Sequence, residues 1–397
     1  MNGRMKRVLL SAAAGISAAT MLLAGCNDDL TVASALRPAF IRTDVTIHDT
    51  TVSPTVTSAF LERVAMNGRL NQLGKSNGYE AYTLLQFLSG FFPQRDTVSV
   101  VSAHLTLRLE GWFGDSTGTL AFQVFKITQA WRAPTVRWDS LPAFDPTVRG
   151  SYSGTITADT QQIVILDLDT AMVREWLRPQ TFTQYGIILV PTAACNTVRG
   201  VHIFEYDSVQ FYPTLEVIVR NPGGTLDTAT YNAGVDSFVG NIDDPVPNPE
   251  RIFTQSGVVF RSILRFDVAF IPHGAIVNTA DLSIIRDPAT RRLTRFTSDS
   301  LLLAGTLLSA TDSTRIDPTV ATGSISGPSA DTLTFNLRRP VQLWVVGNNY
   351  GILLRNSALS EFSSFSLFSF YNERAANVAS RPKLRIRYAV ERRLGEQ

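Results

Sequence analysis

The side chains in this sequence best suited to ligand chemistry are aromatic. Trp112, Trp131 and Trp138 carry flat rings, and the CH faces of sugars stack on such rings, which makes the three tryptophans candidate carbohydrate contacts. Burial in a core is the competing reading for each of them. Paired acids come next: Asp167 and Asp169 alternate along one strand face, and Asp243-Asp244 lies in a proline-rich stretch. Clustered carboxylates take a hard cation such as Ca²⁺, whereas isolated Asp residues serve turns and helix caps. Turn and cap duty is the expectation here, with a structural Ca²⁺ as the alternative and no other cofactor expected. His48, His104, His202 and His273 stand apart, without the close spacing of a zinc site. No Gly-x-Ser-x-Gly elbow and no phosphate-cradling glycine loop occurs. A glycosidase would need two carboxylates held across a cleft, and their sequence spacing does not reveal such a pair. No catalytic residue is therefore assigned, and the chain is read as a non-enzyme.

The amino terminus is more specific. Arg4, Lys6 and Arg7 precede an apolar stretch from Val8 through Leu23, broken by Ser11, Gly15, Ser17 and Thr20, and the stretch ends in Leu23-Ala24-Gly25-Cys26. Basic start, short apolar run and small residues make residues 1–25 a signal peptide and not a membrane span. The tetrapeptide resembles the lipobox of bacterial lipoproteins, which implies that the Cys26 thiol is acylated and becomes the first mature residue. Two or three acyl chains hold a protein stably where one does not. The expected location is the bacterial cell envelope, with the membrane as a partner through the lipid and residues 26–38 as a tether. Cys195 is then left without a thiol partner, so no disulfide framework is available. A lone thiol in a strand-rich segment packs as a small apolar side chain. Removing the leader leaves 33 Lys and Arg against 34 Asp and Glu, a balance that does not support a nucleic-acid-binding surface.

Beyond Cys26 the periodicity is two. In Leu105-Thr106-Leu107-Arg108-Leu109-Glu110 the leucines share one face, as a half-buried antiparallel strand requires. Leu215, Val217 and Val219 repeat the pattern, as do Leu384, Ile386 and Tyr388. Gly186-Ile187-Ile188-Leu189-Val190 and Gly351-Ile352-Leu353-Leu354 are continuous apolar runs of more central strands. Helical patterning is confined to a turn or two at Asp169–Leu177 and at Arg338–Val346.

The sequence also repeats itself. Leu85-Gln86-Phe87 corresponds to Leu264-Arg265-Phe266 at an offset of 179, and Val100–Leu105 corresponds to Val277–Leu282 at 177. Val173-Arg174-Glu175-Trp176 with Tyr185–Leu189 corresponds to Val341-Gln342-Leu343-Trp344 with Tyr350–Leu354, at 168 and 165. Pro213–Val217 corresponds to Pro382–Ile386 at 169. A period near 170 residues is a whole domain and not a propeller blade. Asn221-Pro222-Gly223-Gly224 breaks both strand and helix, which places domain one at 39–220, a linker at 221–227, domain two at 228–391 and a tail at 392–397. The expected fold is all-β, two tandem jelly-roll-type β-sandwiches with one short helix each. Trp176 and Trp344 occupy equivalent places and read as core anchors for those helices.

Ile263-Leu264-Arg265-Phe266-Asp267, followed by Ile271-Pro272-His273-Gly274-Ala275-Ile276-Val277 and Ala280-Asp281-Leu282, resembles the opening of DNRLRE-type domains, grouped with carbohydrate-binding module family 96. Trp344 with Gly351-Ile352-Leu353-Leu354, and Pro382-Lys383-Leu384-Arg385-Ile386, fit the later part of that pattern. Domain one keeps its middle as Trp131-Arg132-Ala133-Pro134-Thr135-Val136-Arg137-Trp138. Two departures stand out: Tyr371-Asn372-Glu373-Arg374 replaces the usual Ser-Arg-Glu, and domain two has no tryptophan pair between Leu301 and Asp331. The resemblance implies a jelly-roll sandwich on a secreted or surface protein, with polysaccharide binding in some members. The resulting expectation is a lipid-anchored envelope binding protein with polysaccharide as its sharper ligand. A structural or adhesive surface module is the alternative, and a polysaccharide-degrading accessory or glycan-active enzyme is the third.

Overall fold

Alternating side chains lay the chain out as strands that bury one face. The computed structural model describes residues 44–87, 97–157, 161–177, 184–203, 205–206, 209–210, 212–242, 248–292, 301–324 and 332–392. The leader, Cys26, the tether, Asp243-Asp244 and the tail from 393 lie outside them. The strands are β1 (Asp44–Val52), β2 (Pro54–Arg63), β3 (Leu70–Ser76), β4 (Tyr79–Phe87), β5 (Ser99–Gly114), β6 (Thr119–Ile127), β7 (Phe144–Thr155), β8 (Gln162–Asp167), β9 (Ile187–Pro191) and β10 (Thr197–His202). A two-stranded ribbon, β11 (Glu205–Tyr206) and β12 (Val209–Gln210), precedes β13 (Thr214–Arg220) and β14 (Leu226–Ile242). The rest are β15 (Arg251–Gln255), β16 (Val258–Phe266), β17 (Ile276–Arg292), β18 (Leu301–Thr306), β19 (Ala321–Ser324), β20 (Thr332–Asn336), β21 (Ile352–Asn356), β22 (Leu367–Tyr371) and β23 (Lys383–Arg392). Helices α1 (Thr170–Trp176) and α2 (Arg338–Val346) stand where the sequence places them, and the second copy carries an additional single turn, α3 (Ala358–Glu361).

The fold is an all-β sandwich built from two large antiparallel sheets. In the first sheet the order is β14-β13-β5-β10-β3-β4-β9-β6-β7, with β8 beside β5 and β14 returning to pair with β4. The long strand β5 is what makes two layers of it. Its first part pairs with β13, its middle with β8, and its end, beyond a register shift at Arg199/Gly200, with β10. Between the layers lies one apolar core that draws Leu105, Leu107 and Leu109 from β5, Leu215 and Val217 from β13, and Leu85, Phe122 and Ile187 from the other layer. Fully burying one such side chain stabilises by about 1.5–3 kcal/mol, and that is the force behind the alternation.

The second sheet runs β1-β23-β17-β22-β15-β16-β21-β18-β19, with β20 beside β17 and β2 beside β16. Strand for strand this is the first sheet again. Trp176 and Trp344 are both buried, each against the equivalent phenylalanine: Phe87–Trp176 centroids are 6.2 Å apart and Phe266–Trp344 centroids 6.4 Å. Gly186 and Gly351 also match. Both have positive φ, +89° and +92°, and a Cβ there would sit 2.1 Å from the Leu85 carbonyl oxygen and 2.5 Å from that of Leu264. A side chain is excluded on both counts, so the glycine that opens each apolar run is a packing requirement.

The equivalence exposes the partner of the first strand. Leu84 of β4 faces Ser237 of β14, and Ile263 of β16 faces Ser58 of β2. Both members of one pair lie 179 residues from their counterparts in the other, the offset already found between β4 and β16. Strands β1 and β2 are therefore the counterpart of β14. Each is followed directly by its own repeat, β3 or β15, yet each completes the sandwich of the other. Asn221–Thr225, read from its proline and glycines as a break between domains, is the hairpin turn from β13 to β14, closed by bonds from Asn221 N to Thr225 O and from Gly224 N to Asn221 O. The boundary in space follows the pairing and not the proline. Both sandwiches fall within one compact unit, Asp49–Tyr388; the described residues of the other unit are the outer ends of β1 and β23.

A second core joins the sandwiches. Tyr79, Ala81, Val198 and Ile242 of the first meet Val258 and Phe365 of the second. Phe365 stacks on Tyr79 with centroids 3.6 Å apart and meets Phe113 edge-on at 4.6 Å. The Tyr79 hydroxyl donates to Gln72 Oε1 at 2.6 Å, and Gln72 Nε2 donates to the Ser363 carbonyl at 2.7 Å, so buried polar atoms are paired across the junction.

Candidate functional site

Strand β14 carries polar residues where its neighbours are apolar. Asp236 and Ser237 sit just before Phe238 and Val239, facing Leu85 and Leu84 of β4. Together with Asn71 of β3 they line a cleft of about 400 Å³ whose other walls include Met66, Pro134, Ile203 and Phe362. Asn71 is fully buried, its Nδ2 donates to Asp236 Oδ1 at 2.9 Å, and its own Oδ1 has no partner. The Ser237 hydroxyl donates to the Met66 carbonyl at 3.2 Å. Burial pushes the Asp236 carboxyl above its ordinary value, against the opposing hydrogen bond from Asn71. A planar amide and a carboxylate between apolar walls suit a ligand with adjacent hydroxyls and hydrophobic faces.

The tryptophans lie in two neighbourhoods. Trp131 and Trp138 come together, half-buried, on a small core around Leu84, Ile127, Ile188 and Val239. Trp131 Nε1 donates to the Tyr185 carbonyl at 2.8 Å, and Trp138 packs on Tyr82 with centroids 4.7 Å apart and planes 50° apart. These rings spend much of their surface fastening the 128–143 segment to the sheet, and Ala133 and Pro134 between them form part of the cleft wall. Trp112 stands on β5 beside Arg199, whose guanidinium lies 6.0 Å from its ring centroid. Arg199 is itself buried and donates to the carbonyls of Gly111 and Thr157.

Of the paired acids Asp167 ends β8 while Asp169 lies beyond the strand as a helix cap, so the two do not share a strand face. Asp169 caps α1 by accepting from Ala171 N at 2.8 Å and also pairs with Arg149. Asp167 faces His104 across β8 and β5, with Oδ1 2.7 Å from Nδ1. Among the described residues no three His, Cys, Asp or Glu side chains gather as a metal-binding group. Cys195 is buried in the first core.

A more strongly charged place lies where β2 meets the second sandwich. Arg261 donates to both carboxylate oxygens of Glu361, from Nε at 2.8 Å and Nη2 at 3.1 Å, and from Nη1 to Glu62 of β2 at 2.6 Å. Arg355 adds a bond to Glu361 at 3.2 Å. Glu361 has no exposed surface, so its charge is held by this bidentate partner and by Arg355. Neither this network nor the Asn71–Asp236 cleft was singled out from the sequence. The available signal is the Asp236-Ser237 pair set directly against the apolar Phe238-Val239 of the same strand.

No protein family model matches the chain, and no curated protein matches it. Among solved structures, a chain of the infectious bursal disease virus Gt strain aligns over 89% of this chain and 80% of its own, at 13% identity and a TM-score of 0.12. A likeness of that size carries no structural argument. Among the described residues no helix is long and apolar enough to cross a membrane.

Proposed function

We propose that the chain is a cell-envelope lipoprotein, anchored through Cys26, that binds polysaccharide in the cleft formed by Asn71, Asp236 and Ser237. The observation that carries this reading is the pairing of a buried amide and a carboxylate with apolar walls on a rigid sheet. Sugars offer neighbouring hydroxyls to planar polar groups and CH faces to apolar ones, so both parts of the cleft have a use. The resemblance of the repeats to DNRLRE-type domains supports the ligand class, and the lipobox-like tetrapeptide supports the anchor. In this reading Trp131 and Trp138 position the cleft wall and do not act as exposed stacking platforms. Trp112 takes no part.

The test uses the chain from Asn27 onward in affinity electrophoresis and calorimetry against a panel of polysaccharides. Retardation by at least one glycan is expected, lost on Asp236→Ala and on Asn71→Ala while circular dichroism stays unchanged. Absence of binding across the panel, or binding that survives both substitutions, overturns the proposal. For the anchor, metabolic labelling with a fatty acid is expected to mark the full chain and to disappear in Cys26→Ser.

A further inference from the structure

The second sandwich is finished by a strand that arrives from the far end of the chain. From β2, nine residues pair with β16, from Pro54↔Phe266 to Arg63↔Val258. The strand is held mainly from outside: only Pro54 of β2 is buried, and Val56 and Leu61 remain 45% and 38% exposed. Its counterpart β14 instead buries Ala233, Ser237, Phe238, Val239 and Ile242. Side-chain anchors on the N-terminal segment are few and polar. They include Glu62 with Arg261, Thr57 with Glu373, Thr55 with the Arg265 carbonyl, and Asp49 with Arg385 and Arg387. Between Arg63, paired with Val258 of the second sandwich, and Met66, bridged to Phe238 of β14 in the first, only Val64 and Ala65 remain to make the crossing.

A strand joined to the rest by a two-residue connector is the element that exchanges between identical chains. Every bond it makes at home it can make on another copy, so only connector strain and concentration separate the closed and exchanged forms. We infer that Asp49–Arg63 acts as a donor strand whose second acceptor is the β16 edge of another copy of this chain. The contact is head-to-tail. Each chain's donor fills another chain's acceptor, and because every chain carries one of each, the exchange closes as a reciprocal pair or ring or runs on as an open array.

The experiment uses two full-length chains from Asn27, one carrying Ser58→Cys and the other Ile263→Cys. Each has one new thiol, with the parent chain and its buried Cys195 as the blank. A 58–263 disulfide in the mixture can then only join two molecules. A second mixture, Leu61→Cys with Phe260→Cys, samples the opposite kind of cross-strand pair, because hydrogen-bonded and non-hydrogen-bonded pairs alternate along antiparallel strands. The control places both cysteines on one chain. The expected result is closure of the control in dilute solution. In the mixtures, the linked 58–263 or 61–260 peptide should appear with a yield that rises with chain concentration. Closure of the control with no linked peptide in either mixture at any soluble concentration would overturn exchange between chains. Failure of both controls to close would overturn the β2–β16 pairing beneath it.

Discussion

Replacing Phe365 by alanine should weaken both sandwiches at once. The Phe365 ring has no exposed surface, lies 3.6 Å from Tyr79 with planes 19° apart, and meets Phe113 edge-on at 4.6 Å and 87°. Deleting a buried phenylalanine ring costs about 3–5 kcal/mol when the site cannot collapse. Collapse is hindered here because Tyr79, Val198 and Val258 on either side belong to paired strands. Within that loss, each aromatic pair contributes about 0.5–1.5 kcal/mol beyond burial. A double-mutant cycle of Phe365→Leu with Tyr79→Leu should therefore retain a coupling of roughly 1 kcal/mol. Because Tyr79 opens β4 and Phe365 leads into β22, the penalty belongs to both sandwiches. Urea unfolding followed by circular dichroism should show the full loss. Amide exchange resolved by peptide should show β4–β14 and β16–β21 losing protection together. A loss of about 1 kcal/mol or less, or a loss of protection confined to one sandwich, would refute the shared-core argument.

Arg261→Met should destabilise by about 3–5 kcal/mol in urea titrations, because it removes the bidentate partner of a fully buried carboxylate. Glu62→Gln, at the more exposed end of the same network, should cost about 1 kcal/mol or less; equal losses would contradict the assignment. Burial raises the Asp236 pKa, so its stabilising contribution is complete below the ordinary value of 3.8 and is lost as pH rises through the higher native value. Asp236→Asn should thus be at least as stable as the parent at neutral pH, with the advantage gone in acid; an advantage that grows on acidification would reverse the sign. Gly351→Ala should cost more than about 1 kcal/mol, since its φ and the Leu264 carbonyl both exclude Cβ. Gly223→Ala, with open space around its Cβ, should be nearly neutral in the same thermal-melt comparison.

Much of this architecture can be read from local sequence, and the reason is physical. Alternation in Leu105–Glu110 and Leu215–Val219 reports a half-buried strand without reference to its partners, and the core holds those residues. The helices at Thr170 and Arg338 are legible from short patterns, and the first is closed by a cap at Asp169. The repeat is legible too, because equivalent contacts such as Phe87–Trp176 and Phe266–Trp344 require the same residue types twice. What local pattern does not carry is the identity of the partner. Ser58 and Ser237 share an offset with Ile263 and Leu84, yet nothing within β2 says that it joins β16 and not β4. Proline and glycine at 222–224 mark a reversal of direction equally well for a linker and for a hairpin turn, and hydrogen bonding decides for the turn. The cleft escapes for a related reason: Asn71 and Asp236 are 165 residues apart and meet only once β14 has returned to β4.

The most direct measurement compares two pieces of the chain. Residues 64–242 contain every strand of the first sandwich, including β14, whereas residues 39–220 follow the sequence repeat but lack β14 and keep a first strand whose partner is absent. Two-dimensional amide spectra with urea titrations should show residues 64–242 dispersed and cooperatively folded, and residues 39–220 collapsed without cooperative unfolding. A folded 39–220 piece beside an unfolded 64–242 piece would mean that each repeat keeps its own first strand, and the crossed arrangement of the two sandwiches would be wrong.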